Sequence, residues 1–342
     1  MNESIGRGMA LVLLGGMLQG SFVLIWKRMR AWRFEQTWLI YSVAGFVVVP
    51  WVLAVTTTPG FRQVLRHTSA KTLAVVVICG FGWGVGAVLS GLGIKKVGMA
   101  LASSILLGIT ASFGSLLPLL VLQPSNLLNR QTYLLLAGLL IVMMGLTLCS
   151  AAGRRRQREL SPDTEYGGAG FGWGLLICIC SGLFSPMINF SFAFGGELQR
   201  LALASGVKPA MAANLIWALA LSAGFLVNAG YCIYLLMKNR TWGLFLQKDV
   251  RGLYWAGAIM MGVFWFGGIM FYGIGALDMG VLGAAIGWPL FMLMIIITAN
   301  FCGVVAGEWK GVSKGTYGYL AAGNIVLAMA VYVIAQGRGG PA

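Results

Sequence analysis

A hydrophobic helical unit occurs twice in this chain, roughly 180 residues apart. Residues 132–154 read TYLLLAGLLIVMMGLTLCSAAGR and residues 316–338 read TYGYLAAGNIVLAMAVYVIAQGR, with nine of 23 positions identical. The shared positions include Thr132/Thr316, Tyr133/Tyr317, Ile141/Ile325, Val142/Val326 and Arg154/Arg338. Runs this rich in Leu, Gly and Ala would coincide at roughly two positions by chance, so fixed-period self-similarity is the better account. A weaker match follows in nearly the same frame, at a spacing of 182, and pairs Trp83 with Trp265, Gly86 with Gly268, Gly91 with Gly273 and Gly93 with Gly275. A membrane chain made of two related halves is the common build of a secondary transporter, which holds its substrate where the halves meet.

The repeated unit is apolar along its length, and so is most of the chain. It is 58% hydrophobic and 10% charged, against roughly 25% charged in a soluble domain. Apolar stretches of about 20 residues cross the hydrocarbon core as helices. Ten are predicted: 6–26, 36–57, 72–93, 99–122, 132–152, 171–195, 210–237, 251–276, 280–302 and 314–336. Long continuous runs exclude a barrel, whose strands would be short and alternating. The first run has no small-residue cleavage site after it and reads as span 1 rather than a removed signal peptide. The fold class is therefore an all-α membrane protein of ten transmembrane helices.

Fifty glycines would break a soluble helical protein. In lipid they let helix backbones approach closely. Gly82, Gly86 and the Gly91/Gly93 pair put small residues along span 3, and Gly268, Gly273 and Gly275 do the same in span 8, giving matched thin faces in the two halves.

The formal charge of +15 could suggest nucleic acid, but its distribution points to a membrane. Sixteen of the 24 Lys and Arg residues fall in loops after odd-numbered spans. The positive-inside rule makes those loops cytoplasmic and places both termini outside, although Arg62, Arg66 and Lys71 fall on the outer side. Five spans per half is an odd number, so the second half enters the membrane in the opposite sense and the repeats are inverted. The expected organisation is residues 1–152 as the first five-helix repeat, 153–170 as a cytoplasmic linker, and 171–342 as the second repeat. The linker stands out by its charged and then Pro/Gly-rich composition.

Familiar catalytic chemistry is excluded by what the chain lacks. His67 is the only histidine, so neither a multi-histidine metal site nor a Ser-His-Asp triad can form. The six cysteines lie within or at the ends of apolar spans. Cys178 and Cys180, two apart, point to different faces of a helix. There is no P-loop. No cofactor, resident metal or enzymatic activity is expected.

Several motifs carry a resemblance. WKRMRAWRFEQTW (26–38) with Pro50–Trp51, WGVG…GL (83–92) and VGMAL…LGIT…G…P (97–118) occur in order. So do GLFS (182–185), SGVKP (205–209), VNAGYC (227–232) and Glu308–Trp309. Together they resemble the bacterial proton-coupled L-rhamnose transport proteins of the drug/metabolite transporter superfamily, over nearly the whole length. The resemblance implies a ten-helix inverted-repeat carrier, a sugar substrate and proton symport. One stretch departs from the family, whose members carry polar and charged residues at the start of span 9. Here DMGVLGAAIGWPLF (278–291) is polar only at Asp278.

A sugar site combines amide or hydroxyl groups with an aromatic platform near the midplane. The candidates are Gln19, Ser103, Ser104, Asn189 and Asn214, with Thr110 and Asn228 beside them, and Trp83, Trp265 and Trp288 as platforms. Each polar residue reads equally as helix–helix glue, and the serines can bond their own helix backbone. Trp26, Trp32, Trp38, Trp51 and Trp309 fit an interfacial belt. Coupling to protons needs an acid within or beside the membrane. Glu197, Asp278 and Glu35 are nearest, the alternative being an interfacial pair with a base such as Arg200 or Arg33.

The expectation is an inner-membrane carrier that imports L-rhamnose or a related monosaccharide or polyol with protons, by alternating access. Its partners are the sugar, protons and the lipid bilayer, with no role for nucleic acid. The alternatives are a carrier for an amino acid or nucleoside on the same fold, and a non-transporting sensor or scaffold. The second is disfavoured by short loops and the lack of a soluble signalling domain.

Overall fold

A computed structural model describes residues 2–26, 28–160, 171–247 and 251–338. Ten helices are long and apolar enough to cross a membrane: α1 (Ser4–Trp26), α2 (Phe34–Thr57), α3 (Ala70–Val97), α4 (Met99–Leu122), α5 (Arg130–Leu160), α6 (Phe171–Ala204), α7 (Pro209–Asn239), α8 (Gly252–Asp278), α9 (Gly280–Val305) and α10 (Lys314–Ala335). Among the described residues there is no strand. α5 continues as helix through Leu160, so residues 153–160 of the expected linker are helical, and 161–170 lie outside the described residues.

Three spans are interrupted. α1 breaks at Phe22 into Asn2–Ser21 and Val23–Trp26. α6 is built of Phe171–Phe184, Met187–Phe194 and Gly196–Ala204. Its first break holds Pro186, which supplies no N–H to the ladder. α2 widens into a π-helix over Val43–Val48. That segment contains Ala44–Gly45–Phe46–Val47–Val48, nearly repeated in α7 as Ala223–Gly224–Phe225–Leu226–Val227, where the backbone is ordinary α-helix.

The helices pack with α5 along α10, α1 along α8 and α9, α3 along α6 and α7, and α4 against α5, α6 and α9. Small residues set the closest approaches. A Cβ built on Gly84 would lie 2.6 Å from the carbonyl oxygen of Gly224, and one on Gly45 would lie 2.9 Å from that of Gly262. Similar backbone contacts join Gly15 to Gly268 and Gly8 to Gly275. Of these, Gly268 and Gly275 belong to the small-residue set expected in span 8. Gly84, Gly262 and the partners on α1, α2 and α7 were not indicated by the sequence, and Gly91, which was, meets nothing within 4 Å.

The tryptophans expected at the interface are more deeply engaged than a belt requires. Trp32 and Trp309 are buried. Trp32 Nε1 donates to the Leu244 carbonyl at 3.1 Å, Trp38 Nε1 to Asn228 Oδ1 at 3.2 Å, and Trp51 Nε1 to Ser222 Oγ at 2.8 Å. An indole N–H inside a bundle needs an acceptor, and α7 and the segment after it supply all three.

Candidate substrate site and coupling residues

Two clusters of candidate residues lie along α8. The first is aromatic. Trp83 on α3 and Trp265 on α8 meet with ring centroids 5.3 Å apart and planes at 33°. Phe46, in the π segment of α2, sits edge-on to both, at 5.0 Å and 4.8 Å. Gln19 on α1 packs against α8 at Gly268, one turn on from Trp265. A larger residue at 268 would displace it, since a Cβ there would fall 2.8 Å from Gln19 Cβ. Gln19 is 9% exposed, and its Oε1 is buried with no hydrogen-bond partner. Buried acceptors are nearly always satisfied. This acceptor, on a side chain packed one turn along α8 from Trp265, leaves a ligand hydroxyl a partner to bond.

The second cluster is polar and fully bonded. Asn189 on α6 is wholly buried and donates through Nδ2 to the carbonyls of Gly114 (2.9 Å) and Ala284 (3.2 Å). Its Oδ1 accepts from the hydroxyl of Tyr272. Trp288 donates from Nε1 to the Thr110 carbonyl at 3.0 Å and stands edge-on to Tyr272 at 5.5 Å. Four spans, α4, α6, α8 and α9, are thereby tied at one point. Gly114 is required there, because any Cβ would strike the indole of Trp288.

The remaining sugar candidates are not drawn into either cluster. Ser104 bonds to the carbonyls of Ala100 and Leu146 and so joins α4 to α5. Asn214, at the start of α7, donates to Thr57 Oγ1 at 2.9 Å. Ser103 is half-buried on α4.

The three acids are far apart in kind. Glu197 accepts from Ser69 N (2.9 Å), Ser69 Oγ (2.5 Å) and Thr72 Oγ1, and so caps the first turn of α3. Glu159 does the same for α10, accepting from Ser313 N (2.7 Å), Ser313 Oγ (2.9 Å) and Thr316 Oγ1 (2.6 Å). A carboxylate at a helix N-terminus satisfies free N–H groups and meets the positive end of the dipole. Asp278 holds a two-point ion pair with Arg7 at 2.9 Å for each contact, with the Arg7 side chain 68% exposed. Glu35 is different. It is only 3% exposed, and its Oε1 accepts from Asn239 Nδ2 (3.0 Å) and Thr241 Oγ1 (2.9 Å), both neutral. Next to it Gln36 donates to the Thr241 carbonyl at 2.8 Å.

The family model that describes the L-rhamnose-proton symport proteins matches residues 1–340. The chain belongs to that family. Among curated members of the L-rhamnose-proton symport family it is 26% identical to the L-rhamnose-proton symporter of Klebsiella pneumoniae (strain 342), with 98% of this chain and 99% of that protein covered. It is 25% identical to the symporter of Cronobacter sakazakii and 24% identical to that of an Escherichia coli strain, at the same coverage. As a member of the symport family the chain is a multi-pass membrane transporter and not an enzyme.

The sequence did not single out Tyr272 or the carbonyl of Gly114. A tyrosine in an apolar span reads as core, and a carbonyl has no sequence signature. The one available signal was positional: α8 carries Tyr272 seven residues after Trp265, two turns along the same helix.

Proposed function

We propose that this chain imports L-rhamnose together with protons across the bacterial inner membrane, by alternating access between two inverted halves. The observation that carries the reading is the family match over residues 1–340, with relatives named L-rhamnose-proton symporters aligned along almost their whole length. The halves are residues 1–152 and 171–342, joined through 153–170, and both termini face the periplasm.

Helix contacts support the inverted repeat. Gly8 and Gly15 of α1 meet Gly275 and Gly268 of α8, while Cys178 and Ser185 of α6 meet Gly93 and Gly86 of α3. A shift of 170 residues carries the α1 pair onto the α6 pair, and one of 182 carries the α3 pair onto the α8 pair. The α1/α8 contact and the α6/α3 contact are thus the same contact made twice. The shift of 170 also carries Gln19 onto Asn189, and the shift of 182 carries Trp83 onto Trp265. The pseudo-two-fold axis then runs between the two indoles.

The sugar site lies at Gln19 and the Trp83–Trp265 pair, where an indole face receives the apolar face of the ring and Gln19 Oε1 accepts from a sugar hydroxyl. Asn189, its counterpart, is occupied by α4, α8 and α9 and holds that side shut. Glu35 is the coupling acid. Its partners are neutral, so taking up a proton leaves no buried cation unpaired, the outcome that makes breaking a buried ion pair costly. Glu197 and Asp278 remain coupling candidates, with capping and an ion pair as their visible work.

The deciding experiment is uptake of radiolabelled L-rhamnose into proteoliposomes, with and without an inward proton gradient. Accumulation above equilibrium only with the gradient is the expected result. Equilibration regardless of the gradient would remove the symport reading. A second reading, a carrier for another small metabolite such as an amino acid or nucleoside, is favoured by the apolar start of α9, which departs from the rhamnose carriers. Failure to take up L-rhamnose together with uptake of one of those compounds would select it.

A further inference from the structure

A groove of about 1000 Å³ whose lining includes neither Gln19 nor Asn189 lies between α3, α4 and α6. Its long wall is apolar, formed by Val75, Phe113, Leu117, Phe184, Phe190 and Phe194 among others. Leu122, Leu183 and Phe184 on its margin are exposed on the bundle surface, inside stretches that span the membrane. The groove therefore opens sideways to lipid rather than to water. At one end the lining becomes polar, with Ser69, Lys71, Thr72, Glu197 and Arg200.

The charges at that end are unequal. Glu197 is engaged by Ser69 and Thr72 as the cap of α3 and lies within electrostatic reach of Arg200, so this end carries two cations against one hydrogen-bonded carboxylate. Lys71 and Arg200 are both exposed. Two cations at the mouth of an apolar lateral groove match an anionic headgroup above acyl chains, because basic residues at the membrane surface attract acidic lipids and long cationic side chains reach to the headgroup level. A water-soluble sugar fits poorly here, since the wall offers it rings and aliphatic carbons with almost no hydrogen-bonding groups.

We propose that this groove is a binding site for an anionic phospholipid, with its acyl chains on the α3/α4/α6 wall and its phosphate held by Lys71 and Arg200. The site is separate from the sugar pathway and does not depend on the identity of the transported compound. Because the wall is built from α3 and α6, which meet at Gly86 and Ser185, a bound lipid touches both halves of the carrier.

The test is native mass spectrometry of the whole delipidated protein in detergent, titrated with phosphatidylglycerol or with phosphatidylcholine of the same acyl chains. The wild type is expected to bind phosphatidylglycerol more tightly. Lys71→Gln/Arg200→Gln should lower that affinity about tenfold or more, at about fivefold per cation, with phosphatidylcholine unchanged. Ala193→Trp fills the wall without altering charge and should weaken both lipids. Equal binding of the two lipids by the wild type, or full preference retained by the double variant, would overturn the proposal. So would displacement of phosphatidylglycerol by excess glycerol phosphate, which would assign the affinity to a headgroup alone. Thermal unfolding of each variant in detergent separates lost binding from lost fold.

Discussion

Tyr272 of α8 donates its hydroxyl hydrogen to Oδ1 of Asn189 in α6, inside a buried knot that also holds α4 and α9. The bond matters because, in the proposed inverted repeat, Asn189 corresponds to Gln19, whose own oxygen has no protein partner.

Tyr272→Phe removes the donor and leaves Asn189 Oδ1 buried without one. In water-soluble proteins such a loss costs about 1–3 kcal/mol, and within membranes side-chain bonds average about 0.6. The knot is enclosed by protein, so a loss of about 1 kcal/mol is expected in chemical unfolding in detergent. Asn189→Leu should cost more, because two carbonyls on α4 and α9 lose their donor as well. The double variant should be less destabilised than the sum of the two.

Gln19→Leu is expected to leave unfolding nearly unchanged, since no protein group loses a partner, while sugar uptake falls by about tenfold or more. Proteoliposome uptake measured beside thermal unfolding checks both halves of the statement. Full uptake in this variant would move the sugar site elsewhere.

Glu35→Gln keeps hydrogen bonding with Asn239 and Thr241 possible and removes the titratable proton. Sugar exchange down its own gradient should persist, while accumulation driven by a proton gradient and the pH dependence of uptake should both disappear. Glu197→Gln should do the reverse, lowering thermal stability through the α3 cap and leaving coupling intact. If Glu197→Gln uncouples and Glu35→Gln does not, the coupling acid is Glu197.

Gly84→Val and Gly45→Val place branched side chains where backbones touch and should cost about 1–3 kcal/mol or more each through overpacking. Gly91→Ala and Gly230→Ala meet nothing within 4 Å. Those two should be neutral or slightly stabilising, as alanine is the better helix former. Thermal midpoints of the four variants in one detergent separate packing glycines from passive ones.

The ten spans were legible because lipid allows one reading of a twenty-residue apolar run. That Trp83 and Trp265 hold matching positions was legible from the 182-residue spacing, though not that their rings touch one another. The role of Glu197 was hidden because its partners, Ser69 and Thr72, lie more than a hundred positions away. The indoles of Trp38 and Trp51 looked interfacial because their acceptors, Asn228 and Ser222, come from the other half of the chain. Gln19 was legible as a polar residue in a span. Its free oxygen depends on what other helices fail to bring near it, which no local pattern encodes.

The π-helical turn at Val43–Val48 has a consequence for how such a carrier changes state. Nearly the same five residues, Ala-Gly-Phe-Val-Val and Ala-Gly-Phe-Leu-Val, take the wide turn in α2 and the ordinary turn in α7. The motif itself therefore does not decide between the two backbones; its surroundings do. A wide turn is an extra residue lodged in the helix, a dislocation in an otherwise regular lattice. If α7 takes up that dislocation as α2 expels it, the two halves trade shapes while the hydrogen-bond total stays level. The cost of switching is then confined to a few residues beside Trp83 and Trp265, and the remainder of each half can move as a rigid piece.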